Sequence, residues 1–138
     1  MSAARAFVDT NIFVYLYSDS NAAEYKRKRA YTMFEQYDCQ ISTQVLNEFS
    51  SVCIKKLKTP KNRIQDFIGQ MCSYCDLAYI DEHTIDQALE IQEKYGYSYY
   101  DSLMIASALE RGCKYLLSED MADGQIIEGS LAIKNIFD

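Results

Sequence analysis

The stretch YSYYDSLMIASALERG, residues 97–112, predicts a largely apolar helix over residues 103–109 that ends at Gly112. Asp101 stands at the head of one apolar stripe of this helix, whose further members follow at i+3, i+4 and i+7: Met104, Ile105 and Ala108. Carboxylates belong in water unless a partner compensates their charge. An acid at the head of a buried face therefore needs either a local capping partner or a functional role.

Short apolar runs alternate with helical patterns along the whole chain. The patterns predict strands at residues 5–9, 39–42, 77–80, 113–118 and 131–136. They predict further helices at residues 11–17, 22–37, 43–57, 61–74 and 83–95, with Thr43 as the N-cap of the third. Such alternation is typical of a single α/β domain with a parallel sheet of about five strands and helices on both faces. In these folds the ligand site lies at the carboxyl ends of the strands.

The composition limits the classes of protein to which the chain can belong. It has 138 residues, of which 49% are apolar, and this fits one domain with one core. It contains no run of 18 apolar residues and no secretory signal at its start, so we expect a cytoplasmic protein. The net charge of −6 opposes nonspecific binding to nucleic acid. Two local basic runs, KRKR at 26–29 and KKLKTPKNR at 55–63, are most simply explained as solvated helix faces.

Five cysteines without a secretory signal predict free thiols. Cys72 and Cys75 form a CxxC pair, which is found in zinc and redox sites. Zinc would require two more ligands, whereas the chain has one histidine, His83, and no second CxxC. A thioredoxin-like pair opens a helix, and this pair closes the predicted one. Structural cysteines are the favoured interpretation, and the role of the pair stays open.

Four acids fall near the strand ends and helix starts of this plan. Asp9 ends the first strand, and Asp120 follows the fourth strand closely. Both therefore belong to the carboxyl edge of the predicted sheet. Glu48 lies in the first turns of the third helix, at the edge of its apolar stripe, and Asp101 heads the stripe described above.

Each of these acids also has a structural explanation. Asp9 could cap the helix that follows it, and Asp120 could cap the turn after the fourth strand. Asp101 could form a capping box with Ser98, because the two have the Ser–x–x–acid spacing. Glu48 could be an exposed helix residue beside a lysine of the same helix.

Together, the four acids indicate a cation site. Two unit charges about 4 Å apart repel by roughly 4 kcal/mol at an effective dielectric of 20, so such a cluster takes up protons or binds cations. Mg²⁺ and Mn²⁺ prefer oxygen ligands, and one or two of these ions can activate water and neutralise a phosphodiester. The chain has no GxGxxG, Walker or GxSxG motif, and His83 has no evident nucleophile partner.

Four short motifs, in order along the chain, resemble those of the PIN-domain family of ribonucleases. They are FVDTN with Asp9, NE with Glu48, YYDSLMIASA with Asp101, and LLSEDMADG with Asp120. The resemblance covers essentially the whole chain, so it implies one PIN-like nuclease domain over residues 1–138. The compact form is similar to the toxins of VapBC-type toxin–antitoxin pairs.

The resemblance implies a Mg²⁺- or Mn²⁺-dependent endoribonuclease that hydrolyses RNA by metal-activated water, leaving a 5′-phosphate and a 3′-hydroxyl. Catalytic and metal-binding roles are implied for Asp9, Glu48, Asp101 and Asp120. Asp123 matches an additional acid that some family members carry. The residues that would orient ligands or bind water are Thr10, Asn11 and Ser118. Family members commonly form homodimers and are held inactive by an antitoxin, a segment of which fills the active-site groove.

An acidic chain departs from what is expected of a protein that binds RNA, because four carboxylates without metal repel phosphate. Metal loading would reverse the charge of the site, and the two basic runs could then hold the flanking RNA backbone. The RNA contacts predicted on this basis are Lys26, Arg27, Lys28, Arg29, Lys55, Lys56 and Lys58.

Three alternatives stay open. The protein could be a PIN-domain nuclease that processes RNA without being a toxin, or a PIN-like fold that only binds, although the intact set of four acids argues against the latter. It could also be a receiver-like, Mg²⁺-binding signalling domain, but the predicted strands at 39–42 and 77–80 supply no obvious phosphoacceptor aspartate. The sequence identifies neither the RNA target nor the number of metal ions.

Overall fold

The computed structural model describes residues 3–138, which form six strands and six α-helices. The strands are β1 (Arg5–Val8), β2 (Asp38–Ser42), β3 (Asp76–Ala78), β4 (Tyr115–Leu117), β5 (Ile126–Ile127) and β6 (Leu131–Lys134). The helices are α1 (Thr10–Leu16), α2 (Glu24–Gln36), α3 (Thr43–Lys55), α4 (Lys61–Tyr74), α5 (Glu82–Tyr95) and α6 (Tyr99–Glu110). None of these helices is long and apolar enough to cross a membrane.

The strands form one sheet in the order β3-β2-β1-β4-β6-β5, which is parallel except at one edge. This confirms the predicted α/β fold and its mostly parallel sheet flanked by helices. The strand missing from the prediction is β5, which pairs antiparallel with β6. Glu128 and Gly129, with φ angles of 50° and 70°, reverse the chain between these two strands. β5 escaped prediction because a strand of two residues leaves no apolar run in the sequence.

The centre of the sheet is covered on both faces. Ala6, Phe7 and Val8 of β1 have no exposed surface, and neither have Leu116 and Leu117 of β4. Consecutive buried positions, rather than alternating ones, are typical of parallel strands covered by helices. The two central strands, β1 and β4, are therefore held from both sides, and they position the residues that follow them, Asp9 and Ser118.

The helix predicted from residues 97–112 is α6, and it is buried on nearly every side rather than along one stripe. All residues from 102 to 108 are buried, and the helix packs against α3, α5 and three strands of the sheet. Gly112 adopts a φ of 66°, the left-handed conformation that commonly follows a helix end. The two ends of α6 remain partly accessible, and the first turn contains Asp101.

Neighbouring strands bring two chain connections to the same point on the carboxyl edge of the sheet. β1 leads into α1 through Asp9 alone, and β4, which pairs with β1, leads into the loop that begins at Ser118. Asp9 N donates to Leu117 O at 3.0 Å, which extends the contact between the two strands by one residue. Side chains that follow β1 and β4 consequently lie beside each other.

Thr43 does not cap α3. Ser42 is the N-cap residue, without a capping bond from its side chain, and Thr43 is the first residue of the helix. The Thr43 hydroxyl oxygen accepts a hydrogen bond from Ile80 N at 3.2 Å, so it fastens the segment after β3 to the start of α3. The prediction of Thr43 as a cap is wrong because a distant backbone donor takes the hydroxyl.

The cysteines are free thiols, four of them buried and Cys72 exposed. Cys75 forms the C-cap of α4, so the CxxC pair closes a helix, as predicted.

Candidate active site

Four acids from four different elements meet at one cleft on the carboxyl edge of the sheet. Asp9 stands between β1 and α1, and Glu48 lies in the second turn of α3. Asp101 lies in the first turn of α6, and Asp120 in the loop after β4. The cleft has a volume of about 260 Å³ and is lined by Asp9, Thr10, Asn11, Glu48, Ser51, Val52, Asp101 and Asp120.

Asp9 is the most buried of the four acids, with 5% of its surface exposed. Its Oδ1 accepts a hydrogen bond from Thr10 N at 2.6 Å, so it does cap α1. Its Oδ2 accepts from Ser118 Oγ at 2.8 Å. Burial raises the pKa of Asp9 to about 7 despite these two bonds, and the charges of Asp101 and Asp120 add to the rise. Asp9 is thus both a cap and a carboxylate of the cleft.

Glu48 is half-buried and turned towards α1. Its Oε2 accepts a hydrogen bond from Thr10 Oγ1 at 3.1 Å. Burial raises the pKa of Glu48, hydrogen bonds from Thr10 and Gln44 partly offset this, and the charge of Asp101 raises it further. Glu48 is therefore not an exposed helix residue beside Lys55.

Asp101 forms only one half of the capping box that its spacing from Ser98 allows. Ser98 is the N-cap of α6, and its Oγ accepts a hydrogen bond from Asp101 N at 3.2 Å. The reciprocal bond, from Ser98 N to the Asp101 carboxylate, is not formed within residues 3–138. Burial raises the pKa of Asp101 despite a hydrogen bond from Ser98, and the charge of Asp120 raises it further.

Asp120 is the exposed acid of the cleft. Its Oδ2 accepts a hydrogen bond from Asn11 Nδ2 at 2.5 Å. The turn in which it lies is capped by Ser118, whose Oγ accepts from Asp120 N at 3.2 Å and from Met121 N at 3.3 Å. The carboxylate of Asp120 is therefore not the cap of this turn, and it faces the cleft.

The three polar residues expected to support the acids each bond a different one. The pairs are Thr10 with Glu48, Asn11 with Asp120, and Ser118 with Asp9. Two of the three donors stand in the first turn of α1, directly after β1. The two central connections of the sheet thus orient three carboxylates from distant parts of the chain.

Asp123 does not join this group. It is exposed and does not line the cleft. Its Oδ1 accepts a hydrogen bond from Asn135 N at 2.9 Å, which fastens the loop after β4 to the end of β6. The structure therefore gives this acid a role in holding the loop after β4, away from the four acids of the cleft.

The cleft offers only oxygen ligands, and this set suits Mg²⁺ or Mn²⁺. The negative charges of Asp101 and Asp120 help to raise the pKa of Asp9. A divalent cation bound in the cleft would compensate these charges. Within residues 3–138, no three acidic, histidine or cysteine side chains already converge as ligands of one ion. The four carboxylates surround the cleft instead, so they would have to rotate towards a common point to hold a cation.

The basic run at 26–29 is engaged within the chain. Arg27 donates to two backbone carbonyls of the segment between α1 and α2. Arg29 Nε donates to a backbone carbonyl that follows β6, at 2.8 Å, and Lys28 forms a salt bridge of 3.1 Å with Glu24. RNA contacts predicted for this run would have to compete with these bonds.

Lys26 belongs to a bonded trio that the sequence did not reveal. Tyr15 Oη donates to Glu119 Oε1 at 2.5 Å, and Lys26 Nζ donates both to Tyr15 Oη, at 3.2 Å, and to Glu119 Oε2. Burial opposes ionisation of Glu119, but its hydrogen bonds from Lys26 and Tyr15 outweigh burial and hold its pKa below the usual range. Lys26 and Glu119 are 93 positions apart, so no local pattern connects them.

The lysines after Glu48 on α3 are placed differently. Lys55, Lys56 and Lys58 are all exposed at the C-terminal end of the helix. None of them forms a salt bridge within the described part of the chain, residues 3–138. Lys55 follows Ser51, which lines the cleft, by one helical turn and so stands on the same face of α3.

Solved structures with the same fold share little sequence with this chain. A toxin–antitoxin complex from Klebsiella pneumoniae is similar with a TM-score of 0.70 at 17% identity, over 95% of this chain and 97% of that chain. The sarcin–ricin-loop-cleaving toxin VapC20 of Mycobacterium tuberculosis gives 0.67 at 16% identity, over 83% and 91%. VapBC2 from Rickettsia felis, bound to a promoter DNA fragment, gives 0.65 at 18% identity, over 95% and 98%. None of the curated proteins matches.

The model of the PIN domain family matches residues 6–122. This range runs from β1 to the loop after β4, so it includes the four acids of the cleft and the three polar residues that bond them. A receiver-like domain has no support in this match. The resemblance of the four motifs is confirmed, and the chain belongs to the PIN domain family.

Proposed function

We propose that this protein is a Mg²⁺- or Mn²⁺-dependent endoribonuclease and the toxin of a toxin–antitoxin pair. One observation carries the proposal: four carboxylates from four separate elements surround one cleft, and none of residues 3–138 places a basic side chain in its lining. Membership of the PIN family supports it. The similarity to a toxin that cleaves the sarcin–ricin loop of RNA supports it as well.

The proposed ligands of the cation are Asp9, Glu48, Asp101 and Asp120. Asp9 would be the fixed member, because it is buried and both of its oxygens already accept hydrogen bonds. Glu48 and Asp120 each accept one bond from an α1 side chain and are more exposed, so they would turn towards the ion. A cation held there would lower the pKa of a water molecule and neutralise charge on the phosphodiester.

The lysines at the end of α3 are the better candidates for contacts to the RNA backbone. Lys55 continues the face of α3 that lines the cleft, and Lys56 and Lys58 are exposed beside it. A local basic patch next to a cation-loaded cleft would attract a phosphate chain although the whole protein carries a net charge of −6. The RNA contacts predicted for residues 26–29 stay predictions.

The cellular role and the partners are part of the same proposal. Several similar structures are complexes of a toxin with its antitoxin, from Klebsiella pneumoniae, Rickettsia felis and Salmonella typhimurium. We infer that this chain forms a homodimer and binds a cognate antitoxin that blocks the cleft. A PIN-domain nuclease that processes RNA without an antitoxin is the alternative.

Cleavage of RNA by the purified protein tests the activity. Wild type should cleave with Mg²⁺ or Mn²⁺ and lose activity in EDTA, whereas Asp9→Asn and Asp101→Asn should lower the rate by at least about 100-fold. Asp123→Asn is the control, because it makes the same Asp-to-Asn change in an acid that lies outside the cleft. Cleavage that survives both Asp9→Asn and Asp101→Asn would sink the nuclease assignment.

Growth of the host tests the role as a toxin. Induced wild type should arrest growth, and Asp101→Asn should not. Co-expression of a small DNA-binding protein encoded next to this gene should restore growth. Normal growth on induction of an enzyme that cleaves RNA in vitro would support the processing nuclease instead.

A further inference from the structure

The loop after β4 is held at two neighbouring residues whose side chains point to different places. Asp120 faces the cleft, where Asn11 bonds it, while Glu119 is bonded by Tyr15 and Lys26. Asn11 and Tyr15 are four residues apart in α1 and so lie on one face of that helix. One face of α1 thus bonds both Asp120 and Glu119. Asn11 donates to Asp120 at the cleft, and Tyr15 donates to Glu119 one helical turn further along.

The bonds of Glu119 are partly shielded from water. The side chains of Lys26 and Glu119 are 34% and 23% exposed, the lowest values among the salt bridges of residues 3–138. Lys26 Nζ lies 4.5 Å from the centre of the Tyr15 ring and 5.4 Å from that of Phe137, and these two rings pack edge to face. A shielded ion pair with a third hydrogen-bonding member fixes geometry better than an isolated surface pair.

Asp120 depends on this anchoring more than the other acids do. It is exposed, and among the described residues its side chain accepts one hydrogen bond, from Asn11. Where its carboxylate lies is therefore decided chiefly by the backbone of the turn, which Ser118 holds from one side and Glu119 from the other.

We propose that Glu119 is a positioning residue: held by Lys26 and Tyr15, it fixes the turn after β4 so that the Asp120 carboxylate faces the cation cleft. The inference rests on the proposed function, since it needs Asp120 to be a ligand. It also gives Lys26 a role inside the chain in place of a contact to RNA.

The chain contains a second trio of the same chemistry that serves as a matched control. Lys94 Nζ and Tyr95 Oη donate to Glu128 Oε2 at 2.7 and 2.9 Å, at the return between β5 and β6. Glu128 does not line the cleft. Loss of its charge weakens the same kinds of bond without touching the turn that carries Asp120.

Mn²⁺ binding to the metal-free protein, followed by the electron paramagnetic resonance of free Mn²⁺, tests the proposal without an activity assay. Glu119→Gln and Lys26→Met should each weaken Mn²⁺ binding about tenfold, as expected for residues that orient a ligand. Glu128→Gln should leave the affinity within about twofold of wild type. Melting temperatures of all variants show that they are folded.

The Asp120→Asn background separates positioning from general loosening of the fold. If Glu119 acts through Asp120, Glu119→Gln should weaken Mn²⁺ binding no further once Asp120 has lost its charge. An unchanged affinity of Glu119→Gln, or an equal loss in both backgrounds, overturns the inference while leaving the cation site in place. Mn²⁺ binding that is insensitive to Asp9→Asn overturns the proposed function itself.

Discussion

The acids of the cleft and the basic run at residues 26–29 are both clusters of like charge, and the fold treats them in opposite ways. Every basic side chain of the run has a partner in the chain, either a carboxylate or a backbone carbonyl. The acids accept bonds from hydroxyl, amide and backbone donors, but none forms a salt bridge within residues 3–138. Three of the four have a raised pKa.

This difference indicates which charged residues of a sequence are candidates for ligand binding. Charges that find opposite partners inside the chain stabilise the fold and have little left to offer a ligand. Charges gathered without an opposite partner make the folded state less stable than it could be, and either protonation or a bound cation relieves this. In the sequence both clusters are groups of like charges. They differ in the partners that their side chains have in the folded structure.

The largest expected effect is a loss of stability of the metal-free protein as the pH rises. The pKa of Asp9 is about 7 in the fold and 3.8 ordinarily, so the folded state binds this proton more tightly. The resulting stabilisation is complete below pH 3.8 and is lost as the pH rises through about 7. For Asp9 alone the loss between pH 5 and 8 should be about 2.5 kcal/mol. Urea unfolding in EDTA across this range measures it.

Two controls make the pH profile specific to the cleft. Asp9→Asn should flatten the slope, because the group that titrates is gone. Mg²⁺ should stabilise the wild type more at pH 8 than at pH 5, since protons compete with the cation for the same carboxylates. An equal slope in Asp9→Asn would show that the acids of the cleft are not the unfavourable cluster described here.

A smaller effect should separate the exposed lysines of α3 from the engaged run on α2. Reversal of two charges, Lys55→Glu with Lys56→Glu, should weaken binding of single-stranded RNA about tenfold and lower the salt slope by about 1.4. Fluorescence anisotropy in an Asp101→Asn background, which should not cleave, measures both quantities. Lys28→Glu is the control on α2, and its effect is compared with that of Lys55→Glu alone. Equal losses for the two changes would mean that the α2 run also contacts RNA.

A third effect, of about 1 kcal/mol, concerns the two roles open to Asp101. Asp101→Asn should raise the unfolding free energy of the metal-free protein at pH 8 by about 1 kcal/mol, because a half-buried like charge leaves the cluster. Ser98→Ala should lower it by about 1 kcal/mol through loss of the N-cap, with cleavage retained. If Asp101→Asn instead left both the stability and the cleavage unchanged, Asp101 would have only a local role at the start of α6, because Asn caps about as well as Asp.

Much of the fold and of the site's composition was predictable because its signals are local. An apolar run ending at Asp9 predicted a strand at residues 5–9, and Gly112 marked the end of α6. Strand ends and helix starts also placed the four acids near one edge, since parallel strands share that edge. Their roles, by contrast, were implied by the resemblance to the PIN family rather than by spacing.

The features that could not be predicted from the sequence depend on contacts between residues far apart in the chain. Thr43 and Asp123 each bond a backbone group far along the chain, so the helix-cap role predicted for Thr43 failed and Asp123 lies outside the cleft. The trio around Glu119 joins three segments and leaves no periodic pattern. β5 is a strand only because β6 lies beside it. In each case the partner was set by the tertiary fold.

The smallest effect tests the basic run itself, through one exposed and one half-buried bond of its side chains. Lys28 and Glu24 are a solvent-exposed pair four residues apart in α2, so Lys28→Met should change the unfolding free energy by less than about 0.5 kcal/mol. Arg29 donates to Ile136 O and joins α2 to the segment after β6, so Arg29→Met should cost about 1 kcal/mol. Denaturant unfolding at pH 7 with EDTA resolves the two. Equal, negligible costs would mean that the basic run is a solvated helix face. The bonds of its side chains within the chain would then be no reason to prefer the α3 lysines as RNA contacts.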